Sequence, residues 1–232
     1  MKFLKPKFWD SKISLLVFLL IPISFLFLSI ANIKRYLVSK RVFKIPIICI
    51  GNIYVGGTGK TPLSIKIANN LKKQEKSSAI IKKFYKDQAD EHIMIKNNAV
   101  ELITDSKRER AVEKAEKKNL DVVILDDGFQ DHSIKKNLNI VCFNSNQLIG
   151  NGYILPAGPL RESLRSLIRA NIIVINGDKK DAFEKKILNI SKSLKIFYSH
   201  YLPTNINEFR NKKLLAFAGI GNPDNFFQLL LR

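Results

Sequence analysis

The stretch YVGGTGKTPL, residues 54–63, places three glycines, a lysine and a threonine between an apolar run and a helical pattern. The run PIICIGN, residues 46–52, precedes it and is typical of a buried strand. Pro62 is acceptable in the first turn of a helix. Apolar residues then recur at helical spacing at Ile65, Ala68 and Leu71. The context is therefore strand, glycine loop and helix, which a phosphate-binding loop requires.

Within this stretch, the glycines allow backbone N–H groups to converge on phosphate oxygens, and the helix N-terminus adds its positive dipole. The residues predicted to bind nucleotide are Gly56, Gly57, Thr58, Gly59, Lys60 and Thr61. Lys60 is expected to act in catalysis on the β- and γ-phosphates, and the Thr61 hydroxyl is expected to bind Mg²⁺. Tyr54 stands where the pattern G-x-x-x-x-G-K-[ST] has its first glycine. A plain strand-to-helix turn with a surface lysine is the alternative.

Two consecutive acidic residues end a second apolar run, LDVVILDDGFQ, residues 120–130. Carboxylates at the carboxyl end of a parallel strand face the crevice in which ligands bind. Asp126 and Asp127 are therefore predicted to hold Mg²⁺, directly or through water. An ordinary acidic turn after a strand is the alternative, and the glycine loop upstream favours the metal site.

Beyond residue 44, short apolar runs alternate with charged helical stretches. This alternation predicts an α/β fold with a mostly parallel sheet flanked by helices, similar to P-loop NTPases. The candidate strands are residues 45–50, 78–81, 121–125, 138–143, 172–175 and 214–218. The candidate helices are residues 61–74, 107–119, 162–169 and 181–194. The polar stretch 82–98 is interpreted as a loop-rich segment.

The amino-terminal part contains an uncharged apolar stretch, residues 13–31, which is about long enough to cross a bilayer. Lysine and arginine residues flank it on both sides, so the orientation of a membrane helix is undecided. We expect a membrane-associated helix that spans the bilayer or lies in its interface, and a signal peptide is the alternative. The predicted domains are an amino-terminal membrane-associated part, residues 1–44, and a P-loop domain, residues 45–232.

The composition of the 232 residues, 46% of them apolar, excludes a disordered chain and suits one α/β domain, with or without an appendage. The net charge of +19 points to a polyanionic partner: nucleic acid, anionic lipid or a phosphorylated substrate. No nucleic-acid partner is expected, because the lysines are scattered and no basic motif has interleaved aromatic residues. Cys49 and Cys142 lie within apolar runs and are expected to be core residues in a reduced compartment.

Four motifs, GNIYVGGTGKTPL, ILDDGFQ, GNGYILPAGPLRESL and AFAGIGNPDNFF, resemble in order and spacing those of the tetraacyldisaccharide 4'-kinases, the lipid A 4'-kinases. The resemblance covers most of the chain, and DDGFQ and LPAGPLRE are far more specific than a bare P-loop. It implies transfer of the γ-phosphate of ATP, with Mg²⁺, to the 4'-hydroxyl of a tetraacylated glucosamine disaccharide 1-phosphate. The implied partners are this acylated lipid and the anionic surface of the inner membrane, on its cytoplasmic face.

The resemblance also implies roles for individual residues outside the glycine loop. Asp126, Asp127 and Gln130 match the second nucleotide and metal motif of the family, with Gln130 on the nucleotide. Arg161 and Glu162 match the end of the LPAGPLRE segment, which borders the active site, and Glu162 is assigned to the metal.

The expected catalytic base lies in the stretch that departs most from the family motifs described so far. Asp90 and Glu91 resemble an Asp-Glu pair whose aspartate is implicated in activating the sugar hydroxyl, and a solvated loop carboxylate is the alternative for Asp90. The sequence IKKFYK, residues 81–86, replaces the S-R-G-Y-G-like run of the family. Asp131 stands directly after DDGFQ, where the family usually has a histidine, and His132 follows it.

The end of the sequence departs most from the family. The run GIGNPDNFFQLLLR, residues 219–232, closes the chain where the family continues into F-P-D-H-H-like and T-E-K-D-A-like runs. We therefore expect the carboxyl-terminal lobe to be missing. His92 and His200 are expected to be surface or packing residues and not substitutes for the histidine of the F-P-D-H-H-like run. The remaining alternatives are a non-catalytic fragment that binds nucleotide or lipid and a membrane-associated deviant-P-loop ATPase.

Overall fold

The computed structural model describes residues 5–11, 14–83, 89–98 and 100–202, together with isolated positions from residue 208 onwards. Its centre is a seven-stranded sheet in the order β3-β2-β4-β1-β5-β6-β7, in which each pair of neighbouring strands is parallel. The strands are β1 Ile47–Gly51, β2 Ser78–Lys83, β3 Glu101–Asp105, β4 Val122–Asp126, β5 Leu138–Asn144, β6 Ile172–Asn176 and β7 Lys195–Ser199. The predicted fold class is confirmed.

Helices cover both faces of the sheet, as expected for parallel strands that are apolar on both sides. The helices are α1 Leu15–Leu37, α2 Lys60–Lys73, α3 Ala89–Asn97, α4 Arg108–Lys117 and α5 Asp181–Leu188. Buried residues of α4 and α5 join one hydrophobic core, and buried residues of α2 and α3 join another. Side chains alternate along β1: Cys49 packs in the first core and Ile50 in the second. Cys49 and Cys142 are both buried, as predicted.

The structure corrects several predicted elements. The stretch 82–98 is not loop-rich throughout, because β2 extends to Lys83 and α3 follows. The edge strands β3 and β7 were not predicted: each is short and partly exposed, so apolar runs do not mark them. Residues 164–169 form a 3₁₀ helix where an α-helix was expected. In the candidate strand 214–218, residues 215–218 have no regular structure and residue 214 lies outside the described residues.

Helix α1 is, by length and composition alone, able to cross a membrane: it has 23 residues, and an 18-residue window within it has a mean hydropathy of 2.5. Most of its apolar side chains are exposed, whereas Val17 and Ser24 are buried. The Ser24 hydroxyl donates to the Ile154 carbonyl oxygen at 2.9 Å and accepts from the Ala157 N–H at 3.0 Å. One stripe of α1 therefore contacts the loop after β5, while the division into domains 1–44 and 45–232 stays a prediction.

Candidate active site

The loop between β1 and α2 has the backbone of a phosphate cradle. Gly59 caps α2 in the left-handed conformation, with a φ of 84°, which glycine adopts without steric cost. A Cβ atom there would lie 2.8 Å from Nδ2 of Asn176, so a larger residue would also displace that side chain. The buried Asn52 side chain donates to the Gly56 carbonyl oxygen at 3.2 Å and to the Thr58 hydroxyl at 3.1 Å. The loop is thus fixed by its own contacts and positions the N-terminus of α2.

The end of β4 meets the first turn of α2 below this loop. The Thr61 hydroxyl donates to Oδ2 of Asp126 at 2.9 Å, and both side chains are buried. Lys82, near the end of the neighbouring strand β2, donates to the same carboxylate oxygen at 2.9 Å. The other oxygen, Oδ1 of Asp126, is buried and has no hydrogen-bond partner within the described structure. Two predicted metal ligands are therefore in direct contact, together with a lysine that sequence reasoning missed.

The donor set of Thr61 and Asp126 fits Mg²⁺. The unpartnered Oδ1 offers a hard oxygen beside a hydroxyl, and Mg²⁺ takes few protein ligands because water and phosphate oxygens supply the rest. Among the described residues, no group of three or more His, Cys, Asp or Glu side chains could hold a metal ion by itself. The site therefore suits a cation that arrives with a phosphorylated ligand.

Asp127, the next residue, bonds to two cations. Its Oδ1 lies 3.5 Å from Nζ of Lys60, and Nη1 of Arg161 donates to its two oxygens at 3.0 and 3.2 Å. Burial alone would raise the pKa of Asp127, but the Lys60 ammonium and the Arg161 guanidinium outweigh burial and lower it. Asp127 is therefore ionised at neutral pH and holds Lys60 beside the glycine loop. Its assignment to the metal stays a prediction.

Arg161 reaches Asp127 because the LPAGPLRE segment lies against the residues before the glycine loop. The Val55 N–H donates to the Pro159 carbonyl oxygen at 2.9 Å, and the Arg161 N–H donates to the Ile53 carbonyl oxygen at 2.7 Å. Tyr54, which replaces the usual glycine, forms an isolated bridge with Leu160. Tyr54, at the irregular first position of the glycine-loop motif, thus contacts the LPAGPLRE segment.

Gln130 and Glu162 lie in the loops that follow β4 and β5. The Gln130 side-chain amide donates to the Asn52 carbonyl oxygen at 2.7 Å, which connects it to the base of the glycine loop. Glu162 is paired with Arg169, whose guanidinium also stacks on the Phe129 ring at 4.4 Å. Burial raises the pKa of Glu162, although Arg169 opposes this effect. The metal role of Glu162 stays a prediction, since its nearest cationic partner is an arginine.

Sequence reasoning also missed Arg108, at the start of α4. Its guanidinium donates to the Asp127 carbonyl oxygen at 2.8 Å and to Oδ2 of Asp131 at 3.3 Å. Asp127 has a φ of 57°, which non-glycine residues rarely adopt, and the Arg108 bond stabilises this turn. The sequence analysis did not select Arg108, because positively charged residues are common on solvated helix faces.

The expected base Asp90 lies in the first turn of α3, with Glu91 beside it. The side chains of both residues lie outside the described part of the structure, so their roles stay predictions. The backbone nevertheless corrects one point, because Asp90 belongs to a helix and not to a loop.

A cavity of about 780 Å³ opens between α1 and the loops that follow β4 and β5. Phe27 and Ala31 of α1 contribute apolar walls, and Lys34 lies near the helix end. Asp127 and Arg161 line the same cavity. The cavity therefore connects an apolar helix with the charged residues beside the glycine loop, which suits an amphipathic phosphorylated ligand.

The sequence model of the tetraacyldisaccharide-1-P 4'-kinase family matches residues 16–232. The chain belongs to this family. The tetraacyldisaccharide 4'-kinase of Pelagibacter ubique is 43% identical, over 99% of this chain and 74% of that relative. The enzyme of the same name from Actinobacillus succinogenes is 32% identical, over 96% of this chain and 75% of its own length. The chain thus spans about three quarters of these tetraacyldisaccharide 4'-kinases.

A solved structure supports the fold assignment of this family member. The crystal structure of LpxK from Aquifex aeolicus in complex with ATP superposes with a TM-score of 0.62, at 21% identity, and covers 87% of this chain and 86% of that one. Membership of a tetraacyldisaccharide-1-P 4'-kinase family also argues against the deviant-P-loop ATPase. Val55 precedes the double glycine, where such ATPases commonly have a lysine.

Proposed function

We propose that this chain phosphorylates the 4'-hydroxyl of a tetraacyldisaccharide 1-phosphate with ATP, a step of lipid A biosynthesis. The observation that carries the proposal is the contact between Thr61 and Asp126 beneath a formed glycine loop, in a chain that belongs to the kinase family. A glycine loop alone would bind phosphate, but the buried hydroxyl–carboxylate pair adds the cation site that phosphoryl transfer requires.

On the nucleotide side, the chain supplies positioning and positive charge. Backbone N–H groups of residues 56–61 and the dipole of α2 attract the phosphates, and Lys60 neutralises charge on the transferring group. Asp127, itself paired with Arg161, holds the Lys60 ammonium close to the loop before nucleotide binds. Mg²⁺, when bound at Thr61 and Asp126, would neutralise charge on the phosphate oxygens.

On the acceptor side, we assign the disaccharide to the cavity beside α1. The exposed apolar face of α1 suits acyl chains, while Lys34 and Arg35 at its end suit a phosphate group or anionic headgroups. Asp90 is the proposed general base, which would orient the sugar hydroxyl and accept its proton. A substrate that stays in the bilayer requires an enzyme at its surface, so we place the protein on the cytoplasmic face of the inner membrane.

The test is transfer of labelled phosphate from ATP to tetraacyldisaccharide 1-phosphate in mixed micelles. Lys60→Ala should weaken ATP binding by roughly 1.5–3 kcal/mol, because one charge-assisted contact is lost, and should also reduce turnover. Lys66→Ala, which removes an exposed lysine from the same helix, is the matched control. Asp90→Asn should leave ATP affinity unchanged but lower turnover by about 10²–10⁴-fold, the typical value of general-base assistance.

Two results would contradict the proposal. Unchanged ATP binding and turnover in Lys60→Ala would exclude the glycine loop as the phosphate site. ATP binding without transfer by the wild-type chain would support the alternative of a nucleotide-binding fragment. Sedimentation with vesicles of anionic lipid, compared with neutral vesicles, tests the proposed membrane surface separately.

A further inference from the structure

Lys82 is a buried lysine at the metal side of the phosphate site. Its side chain is only 5% exposed, and its Nζ lies 2.9 Å from Oδ2 of Asp126 and 3.5 Å from the Thr61 hydroxyl. Lysine is almost never fully buried unless it is paired. The ammonium group thus bonds to the same carboxylate oxygen that receives the Thr61 hydroxyl.

The sheet explains why Lys82 lies there. Strand β2 pairs in parallel with β4, and Ile81 lies opposite Leu125, so the next residues, Lys82 and Asp126, follow at the same carboxyl edge. Ligands of parallel α/β sheets bind at this edge. Because side chains alternate along a strand, Lys83 points to the other face. The chain has this lysine pair within IKKFYK, the stretch in which the sequence departs from the family pattern.

We propose that Lys82 is a second phosphate-site lysine, which neutralises Asp126 before nucleotide binds and makes ATP binding less dependent on Mg²⁺. The proposal rests on the ATP site described under the proposed function. Lys82 is a positioning residue in this role, since it acts through Asp126 and through the charge of the subsite.

The physical reason is the sign of the local charge. Without Lys82, the buried carboxylate of Asp126 would repel the phosphates of metal-free ATP, because nearby charges interact strongly away from bulk water. With Lys82 beside it, part of the Asp126 charge is offset, so metal-free ATP meets less repulsion. The same ammonium repels Mg²⁺ and competes for a carboxylate oxygen. Lys82 should therefore strengthen binding of free ATP relative to the magnesium complex.

The experiment measures the dissociation constant of ATP by calorimetry in EDTA and in saturating Mg²⁺, for the full chain in detergent. Lys82→Gln keeps a hydrogen-bond donor for Asp126 but removes the charge. Lys82→Arg restores the charge, and Lys83→Gln removes the same charge one residue further along the strand. Thermal unfolding of each variant shows whether the fold is kept.

We expect Lys82→Gln to raise the ratio of the dissociation constants, EDTA over Mg²⁺, by at least about tenfold, as for loss of a buried charge contact. Lys82→Arg should stay within about threefold of the wild type, and Lys83→Gln should match the wild type.

An unchanged ratio in Lys82→Gln, or an equal change in Lys83→Gln, would overturn the proposal while leaving the ATP site intact. If Lys82→Gln fails to fold, Lys82→Met removes the same charge, and an unchanged ratio in that variant would overturn the proposal. Absence of ATP binding to the wild type would instead overturn the proposed function and this inference together.

Discussion

The proposed nucleotide side and the proposed acceptor side of the site are built in different ways. On the nucleotide side, residues 52–61 form one continuous loop and helix start, whose internal bonds join Asn52 to Gly56 and Thr58. On the acceptor side, the cavity is assembled from α1, the loop after β4 and the loop after β5, which are distant in sequence. The first side depends on local backbone conformation, and the second depends on how separate segments pack.

This difference determines what each side tolerates. A loop whose geometry is set by left-handed glycines and a buried amide is preorganised, so it can bind phosphate without further ordering. A cavity between a largely exposed apolar helix and two loops depends on few buried contacts, so changes there should act mainly on stability and acceptor use. Substitutions on the two sides should therefore separate in size and in the property that they change.

The largest effect is expected at Asp126, on the nucleotide side. Asp126→Asn keeps the shape of the side chain but removes the charge that attracts a cation beside Thr61. Turnover should fall by at least about 10³-fold, since charge neutralisation is a main source of rate in phosphoryl transfer. Steady-state kinetics at saturating ATP and acceptor measure the loss.

The matched control for that substitution is Asp121→Asn, which removes an exposed carboxylate just before the amino end of the same strand. Its turnover should equal that of the wild type. If Asp126→Asn retained more than about a tenth of the wild-type turnover, a metal subsite at Thr61 and Asp126 would be excluded. Turnover would then be no more sensitive to substitution on the nucleotide side than on the acceptor side.

The same division explains how much could be predicted from the sequence. Strands β1 and β4 and helix α2 were predicted because an apolar run, a glycine loop and a helical period are local patterns. Thr61 was assigned to the metal from the glycine-loop motif, and Asp126 from its place at the carboxyl end of a strand; the structure brings them into contact. The order of the strands required the structure, since local patterns do not give sheet order.

The rest depended on contacts between distant residues. Lys82 was assigned to the loop-rich stretch 82–98, and its partner Asp126 is 44 residues away. Arg161 contacts Asp127 across 34 residues, so only the family resemblance indicated that it borders the site. Strands β3 and β7 lie at the edges of the sheet, where partial exposure permits polar residues and weakens the apolar pattern.

A smaller effect is expected where α1 contacts the acceptor side. Ser24→Ala removes a donor to the Ile154 carbonyl oxygen and an acceptor for the Ala157 N–H. Leaving such groups unpaired typically costs about 1–3 kcal/mol of the free energy of unfolding. Urea unfolding in detergent measures this change. Ser29→Ala is the control, because Ser29 is only partly buried and donates to the Phe25 carbonyl oxygen within the helix itself; an equal loss in both variants would contradict docking through Ser24.

The smallest effect concerns the pH dependence of stability at His132, beside the cavity. Burial lowers the pKa of His132 from 6.5 to about 4, and the neighbouring charges of Arg169, Lys136 and Arg35 add to this effect more than Asp131 opposes it. Between these two pKa values, the unfolded chain binds a proton that the folded chain does not. The free energy of unfolding should therefore fall as the pH drops from about 6.5 towards 4.

His132→Gln should remove part of this slope, and His200→Gln, at an exposed position, should not. The effect should be modest, since His132 is only partly buried and solvent screens its neighbours. Urea unfolding at several pH values measures the slope, and identical slopes in the His132→Gln variant and the wild type would show that the cavity wall does not exclude the charged imidazole.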